Sequence, residues 1–185
     1  MDKDLELYIE NLSVTKKLSW SERLEFVSKE FPGRAIFSTS FSIEDQIITH
    51  IIGTNKLDID IFTLDTGRMF DETYEVWQQT KEKYNINIKP YYPDSDRLKE
   101  YVETNGINAF YESKDLRLSC CGIRKVEPLK RALQGYDVWI SGLRTSQSKG
   151  RDDKDLYEID STFEVVKLYP ILELSDDQIW AFIKK

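Results

Sequence analysis

The stretch Arg34–Asp45, RAIFSTSFSIED, decides the fold class of this 185-residue chain. Its first half, Arg34–Thr39, is a short apolar run that predicts a buried strand, and a helical pattern begins at Ser42, the expected N-cap. The same order repeats along the chain, and further strands are predicted at Asp58–Leu64, Ile86–Tyr92, Asp137–Ser141 and Phe163–Leu168. Pro90 indicates an edge or end position for the third strand.

Helical patterns separate these strands. They cover Asp4–Leu12, Trp20–Phe31, Ser42–Ile51, Thr73–Tyr84, Asp94–Gly106, Cys121–Leu133 and a last helix capped by Ser175 and Gln178. We expect Pro128 either to start a new helical segment or to kink the one around it. Ile107–Leu118 is interpreted as a loop with short helical turns, and Thr145–Ile159 as a polar connection. The alternation predicts an α/β fold, a doubly wound parallel sheet with flanking helices, in a single domain over residues 1–185.

The composition excludes several classes of protein. The chain has 26 basic and 33 acidic residues, a net charge of −7, and its 40% hydrophobic and 32% charged residues argue against a disordered chain and a membrane protein. The acidic N-terminus lacks the apolar stretch of a signal peptide, and two adjacent cysteines cannot build a disulfide framework. We therefore expect a soluble protein of the reducing cytoplasm, with no membrane partner.

The charge is unevenly distributed. The window Leu116–Arg151 holds eight basic and two acidic residues, a net charge of +6 in an otherwise acidic chain. Nucleic acid usually needs a broader basic face with interleaved aromatic residues, so we expect no nucleic-acid partner. The window predicts a site for a small anion.

Four turns follow predicted strands, at the edge where ligands of such sheets bind. They are Ser38–Asp45, Asp65–Arg68, Tyr92–Ser95 and Gly142–Gln147. In the first, serine hydroxyls and the free amides of a helix N-terminus suit a phosphate or sulfate, although no Walker motif is present. In the second, Asp65 suits an adenine or ribose donor, and in the fourth Arg144 suits a phosphate.

These turns and the cysteine pair together resemble one family, the adenylyl-sulfate and phosphoadenylyl-sulfate reductases. The resemblance runs from about Phe37 to the end of the chain. Ser38–Asp45, with Gln46 and His50, is similar to the family's modified pyrophosphatase loop, and Leu64–Gly67 matches its LDTG turn. Cys120–Leu129 matches its CC-x-x-RK-V-x-P-L segment. Gly142–Ser148, with Arg151, matches its GLR-x-x-QS turn. One departure is Ser42-Ile43, where the family more often has Gly-Ala. The resemblance implies an adenine nucleotide alpha hydrolase-like fold of the PP-loop type.

The resemblance also implies an activity, the thioredoxin-dependent reduction of adenylyl sulfate to sulfite and AMP in sulfate assimilation. In the family a C-terminal cysteine thiolate attacks the sulfur, forms an enzyme S-sulfonate and releases AMP, and thioredoxin then releases sulfite. Cys120 and Cys121 are the only cysteines of this sequence. Because the helical pattern runs into Ile183-Lys184-Lys185 without a C-cap signal, we expect a truncated chain that binds the nucleotide but does not reduce it.

Family members with the cysteine doublet carry a [4Fe–4S] cluster, which implies that Cys120 and Cys121 are two of its metal ligands. The other two normally come from a downstream C-x-x-C pair, so we expect no stable cluster in these 185 residues. The cluster is expected to tune local charge rather than to carry electrons. Lys125 is the predicted catalytic residue, linking cluster and sulfate.

The predicted substrate-binding residues come from the matching segments. They are Ser38, Ser40, Phe41, Ser42, Glu44, Asp45, Leu64, Asp65, Thr66, Arg124, Gly142, Arg144 and Arg151. Outside this set, His50 is expected to be a packed or capping residue, and Asp71 and Glu72 to begin a helix. The tryptophans Trp77, Trp139 and Trp180 are expected to belong to the core or an interface.

Several alternatives stay open. The cysteine doublet favours adenylyl sulfate over its 3′-phosphorylated form, but Arg97 and Lys99 near a strand end leave a contact with the extra phosphate possible. A related PP-loop enzyme of sulfur or adenylyl transfer is a second alternative, although those that use ATP normally show an S-G-G-x-D-S loop. The third is a non-catalytic nucleotide-binding module. We also expect a homo-oligomer.

Overall fold

The computed structural model of the chain describes residues 5–147 and 154–184. Its strands are β1 (Ala35–Ser38), β2 (Asp60–Leu64), β3 (Ile88–Tyr91), β4 (Val138–Ser141), β5 (Tyr157–Asp160) and β6 (Val165–Leu168). Its α-helices are α1 (Leu5–Ser13), α2 (Trp20–Glu30), α3 (Ile43–Asn55), α4 (Asp71–Tyr84), α5 (Ser95–Asn105), α6 (Lys114–Cys121), α7 (Glu127–Leu133) and α8 (Asp176–Ile183).

The strands form one sheet in the order β3-β2-β1-β4-β6-β5. All neighbouring pairs are parallel except β5 and β6, which are antiparallel. The prediction of a parallel α/β sheet is confirmed, and β3 with Pro90 lies at an edge as expected. The interpretation of Thr145–Ile159 as a connection without a strand was wrong, because β5 begins at Tyr157 and pairs with β6 despite its polar residues.

Both faces of the sheet are covered by apolar residues. Along β1, Phe37 belongs to a core cluster with α2 and α3, whereas its neighbour Ile36 packs on the opposite face with Leu133 of α7. This alternation follows from the twofold period of a strand and explains why β1 has apolar side chains at successive positions. Strands β2 and β3 are added on one side of β1, whereas β4 and β6 are added on the other. The carboxyl ends of the neighbouring parallel strands β1 and β4 therefore form the switch point of the sheet.

The helix that carries the cysteine pair begins earlier than expected. Ser113 caps it by accepting a hydrogen bond from the Leu116 N–H at 3.1 Å, so α6 occupies part of the segment predicted as a loop. A π-helical turn, Gly122–Val126, then joins α6 to α7. Pro128 explains this turn, because it has no N–H to donate and its ring would clash with the Arg124 carbonyl in a regular α-helix. Pro128 therefore alters the helix locally, as predicted, without ending it.

The predicted cap of the last helix is confirmed, because Ser175 and Gln178 form a reciprocal capping box. Ser19 and Glu22 form the same arrangement at the start of α2, and the Asp94 carboxylate caps α5 by accepting from the Arg97 N–H at 2.9 Å. No helix among the described residues is long and apolar enough to cross a bilayer.

Candidate functional site

A cavity of about 590 Å³ opens at the carboxyl ends of β1, β2 and β4. Three of the four predicted turns meet there, whereas the turn Tyr92–Ser95 contributes no residue to the wall. The predicted site residues on the wall are Ser38, Ser40, Ser42, Asp45, Leu64, Thr66, Lys125 and Gly142. The fold thus brings hydroxyls, backbone amides and an ammonium group to one concave surface at the switch point.

The turn after β1 is built around the buried carboxylate of Asp45. Its Oδ2 accepts hydrogen bonds from the Ser40 N–H at 2.6 Å and the Ser40 hydroxyl at 2.7 Å. Burial raises the pKa of Asp45 above its ordinary value, against the opposing effect of these hydrogen bonds. Ser42 occupies the N-cap position of α3 as predicted, but its hydroxyl accepts no hydrogen bond from the helix amides. The amides that open α3 are therefore not capped by this side chain.

Phe41 holds the same turn in an unusual conformation. Its φ of 64° lies in the left-handed region, which is an outlier for a bulky residue. Its N–H donates to Thr39 Oγ1 at 3.0 Å, and its ring stacks on Trp77 with 5.6 Å between centroids. Phe41 does not line the cavity, and its buried ring supports the turn by packing on Trp77.

The turn after β4 approaches the start of α3 very closely. A Cβ on Gly142 would lie only 2.3 Å from Asp45 Oδ1, so only glycine fits. Two residues on, the buried guanidinium of Arg144 forms ion pairs with Glu44 at 2.6 Å and Asp176 at 2.7 Å. Burial acts to lower the pKa of Arg144, but the bonds to both carboxylates outweigh it and raise the pKa.

In the turn after β2, the Asp65 carboxylate does not line the cavity. Asp65 Oδ1 accepts from the Gly67 N–H and from the Tyr74 hydroxyl, both at 2.9 Å. Thr66 remains on the wall, and its carbonyl accepts a hydrogen bond from Arg124. Asp65 therefore shapes the turn that presents Thr66.

Two neighbouring cations of the π-helical turn face opposite ways. Arg124 is buried behind the Leu64–Gly67 turn, and its Nε has no hydrogen-bond partner among residues 5–147 and 154–184. Lys125 is exposed and lies on the cavity wall, where Arg68 is a second cation. Arg68 is held by the Ile107 carbonyl at 2.6 Å. The wall therefore combines the turns that follow the strands with positive charge.

Several predicted ligand contacts lie off the cavity wall. Phe41, Glu44, Asp65, Arg124 and Arg144 do not line it and instead bond or pack within the protein. Arg151 lies outside the described residues. For all of these residues, contact with a ligand stays a prediction.

Part of the cavity wall was not predicted. Met69, Phe70, Thr73, Leu129 and Trp139 line the cavity, as does Arg68, which belongs to a predicted turn but was not named as a substrate-binding residue. Met69, Phe70 and Thr73 lie within a few residues of that turn, and this position was the available signal. Trp139, expected in the core or an interface, is half-buried on the wall, and its Nε1 donates to Ser38 Oγ at 2.9 Å.

The residues considered less important behave largely as expected. His50 packs against Tyr84 and Phe182, with its Nδ1 3.0 Å from the Tyr84 hydroxyl. Asp71 and Glu72 lie in the first turn of α4. These predictions are confirmed.

The two basic residues considered for an extra phosphate lie elsewhere. Arg97 lines a separate cavity of about 240 Å³ beside Tyr101 and Ile123. Lys99 is exposed, 3.9 Å from Glu103. Neither residue lines the large cavity.

Known proteins match this chain along most of its length. A family model described as the phosphoadenosine phosphosulfate reductase domain matches residues 34–185. The chain belongs to the phosphoadenosine phosphosulfate reductase family. Two relatives in this family are adenosine 5′-phosphosulfate reductases of Sinorhizobium fredii. The protein of strain USDA 257 is 46% identical over 151 residues, 82% of this chain and 60% of its own length. That of strain NBRC 101917 / NGR234 is 42% identical over 181 residues, 98% of this chain and 69% of its own length.

A solved member of the family shares the fold. The crystal structure of phosphoadenylyl-sulfate reductase from Candida auris, a phosphate complex, matches with a TM-score of 0.80 at 23% identity and covers 100% of this chain and 87% of that one. The predicted fold type is confirmed. The chain spans 60% and 69% of the length of the two Sinorhizobium relatives.

The cysteine pair of this family member lies at the end of α6. Cys120 is buried and Cys121 is partly exposed, and both thiols are free. No group of three or more histidine, cysteine, aspartate or glutamate residues with metal-binding geometry occurs in residues 5–147 and 154–184. Two cysteines are half the number of thiolates that a [4Fe–4S] cluster takes, and the role of this pair as cluster ligands stays a prediction.

Proposed function

We propose that the protein reduces adenylyl sulfate to sulfite and AMP in sulfate assimilation. The observation that carries this proposal is the cavity at the switch point, where the serine-rich turn after β1 faces Lys125 from the segment of the cysteine pair. Its volume of about 590 Å³ is in the range of small-molecule sites. Membership of the family and the names of the two Sinorhizobium relatives point to the same reaction.

In this proposal the chain binds and orients the nucleotide. The free amides at the start of α3, which follow the Ser42 N-cap, receive the phosphosulfate, because a helix N-terminus with free amides attracts anions. The N–H and hydroxyl of Ser40 bond to Asp45 and hold the turn that presents these amides. Lys125 and Arg68 offset its negative charge from the opposite wall. Lys125 is the catalytic residue of the set, since a cation beside the sulfate stabilises charge that develops as the sulfur is attacked.

Adenylyl sulfate is favoured over its 3′-phosphorylated form. A 3′-phosphate carries close to two negative charges and needs its own cationic partner. Arg97 and Lys99, the residues considered for that role, do not line the cavity. Phosphoadenylyl sulfate is therefore the second candidate substrate, favoured only by the description of the family model.

Cys120 and Cys121 are proposed as two ligands of a [4Fe–4S] cluster in the whole protein. Their place next to the π-helical turn brings them close in sequence to Lys125, the cation on the wall. When bound, the cluster supplies charge beside the sulfate. These 185 residues contain no other cysteine, so they hold two of the four thiolates that such a cluster needs.

The remaining features rest on family resemblance. We propose thioredoxin as the electron donor, a homo-oligomer as the functional assembly and the cytoplasm as the location. Sulfite release that depends on thioredoxin distinguishes the reductase from an adenylyl transferase and from a non-catalytic nucleotide-binding module.

Isothermal titration calorimetry of the chain with AMP and with adenylyl sulfate tests the binding site. We expect one nucleotide per chain, and Lys125→Ala should weaken adenylyl sulfate about tenfold, the value of one charge-assisted hydrogen bond. Lys130→Ala is the matched control, because Lys130 is exposed on the next turn and does not line the cavity. No binding by the wild type, or equal losses in both variants, would contradict the assignment.

A further inference from the structure

Arg144 makes an unusually complete set of bonds within the protein. Its Nε and one terminal nitrogen bond to Glu44 Oε1 at 3.2 and 2.6 Å. The other terminal nitrogen donates to Ser146 Oγ at 2.9 Å and the Leu174 carbonyl at 3.1 Å, and pairs with Asp176 at 2.7 Å. Each guanidinium nitrogen thus has a protein partner, and the residue is only 5% exposed.

These bonds connect the elements that form the anion-binding turn. Glu44 lies in the first turn of α3, directly before Asp45, whose carboxylate holds the Ser40 N–H and hydroxyl. Asp176 is the first residue of α8. Arg144 therefore ties the end of β4 to the starts of two helices, and Gly142 fits against Asp45 on the same side.

We infer that Arg144 is a positioning residue: through Glu44 it fixes the Ser40–Asp45 turn in the conformation that receives the anion, and it does not itself touch the ligand. This inference rests on the proposed function, since it assumes that the turn binds the phosphosulfate. The physical reason is that a buried guanidinium with carboxylate partners on two helices is already neutralised, and withdrawing it would leave Glu44 charged and buried. A direct cationic contact by Arg144 is the competing explanation.

The two explanations differ in what they predict for Glu44. If Arg144 acts through Glu44, then removing either side chain loosens the turn and weakens nucleotide binding. If Arg144 contacts the anion directly, then removing Glu44 frees the guanidinium, and binding is unchanged or stronger. The sign of the effect at Glu44 therefore decides between them.

The experiment is a double-mutant cycle on the affinity for AMP and adenylyl sulfate. We expect Arg144→Met and Glu44→Met each to weaken binding by about tenfold, and the double variant by little more than either one, because both remove the same link. Glu44→Gln keeps an acceptor for Arg144 and should restore most of the affinity. The dependence of affinity on salt should stay unchanged in Arg144→Met, because no ligand charge loses its partner.

Binding is measured on variants shown by circular dichroism and urea titration to be folded at the assay temperature. Glu173→Met is the matched control, because Glu173 pairs with Arg23, another buried arginine, at 3.3 Å and away from the cavity. Its stability should fall without a change in affinity. If Arg144→Met does not fold, the comparison of Glu44→Met with Glu44→Gln still decides.

Unchanged or tighter binding by Glu44→Met would overturn the inference, as would a flattened salt dependence in Arg144→Met. A wild-type chain that binds neither nucleotide would instead refute the proposed function. The two failures are therefore distinguishable.

Discussion

Replacing Gly142 by alanine tests a contact that supports the Ser40–Asp45 turn, the proposed anion site. The new Cβ would lie 2.3 Å from Asp45 Oδ1 and 3.4 Å from Glu44 Cβ, so the Asp45 carboxylate has to move. A shift of about 1 Å restores van der Waals contact but disrupts the two hydrogen bonds from Ser40. Bonds to a charged group contribute about 1.5–3 kcal/mol each, and overpacking costs about 1–3 kcal/mol. With part of the bonding retained, we expect the free energy of unfolding to fall by about 2–4 kcal/mol.

Urea denaturation measures this loss, and calorimetry with AMP measures its effect on the site. Binding by folded Gly142→Ala should be weakened about tenfold or more, because moving Asp45 breaks the bonds to Ser40 that hold the turn in place. Gly122→Ala is the control: its Cβ would meet nothing within 4 Å, and its φ of −55° and ψ of −49° suit alanine. The control should be neutral or stabilising by up to about 1 kcal/mol. Wild-type stability and affinity in Gly142→Ala would refute the close contact between Gly142 and Asp45.

Three further predictions concern protonation and metal binding. Burial raises the pKa of Asp45, so the stability that this group contributes at low pH is lost as pH rises above about 4. Asp45→Asn should therefore gain stability relative to wild type as pH rises from this value in urea titrations, and a difference that stays constant with pH would contradict the shift. The bond to Lys167 and the backbone hydrogen bonds outweigh burial and lower the pKa of Asp160, so its contribution to stability is lost as pH falls through the folded-state pKa. Lys167→Met should lower the free energy of unfolding by about 1–3 kcal/mol at pH 7 and reduce the further loss of stability at acid pH. An unchanged loss at acid pH would count against the ion pair. In a protein that contains the cluster, Cys120→Ser and Cys121→Ser should each abolish iron–sulfur absorption. Near-stoichiometric iron bound to the 185-residue chain alone would show that the cluster ligands have been assigned incorrectly.

The arrangement of the elements was predictable because local signals agree with the sheet. Apolar runs, caps such as Ser175 with Gln178, and serine-rich or glycine-containing turns after strands all point to the same α/β order. The predicted turns meet because parallel strands place their carboxyl ends at one edge. Strand β5 was missed because Tyr157–Asp160 is a short edge strand with two acidic residues, and its pairing with β6 is a tertiary effect.

The direction of individual side chains was not predictable from the sequence. Arg124 and Lys125 are adjacent cations of one motif, yet the π-helical turn before Pro128 buries the first and exposes the second to the cavity. Arg144 follows a glycine at a strand end, a pattern typical of phosphate contact, but its burial among carboxylates depends on α8, which follows more than 30 residues later. Residue type and spacing therefore predicted the neighbourhood of the site, and packing determined its surface.

A crystal structure of the chain with adenylyl sulfate would show where the nucleotide binds. We expect nucleotide density in the cavity of about 590 Å³, with the phosphosulfate at the Ser40–Ser42 turn and the Lys125 ammonium within hydrogen-bond distance of it. Arg144 should keep its ion pair with Glu44 in that complex. Density for the phosphosulfate elsewhere on the protein, or a cavity that stays empty at saturating nucleotide, would contradict the proposed site.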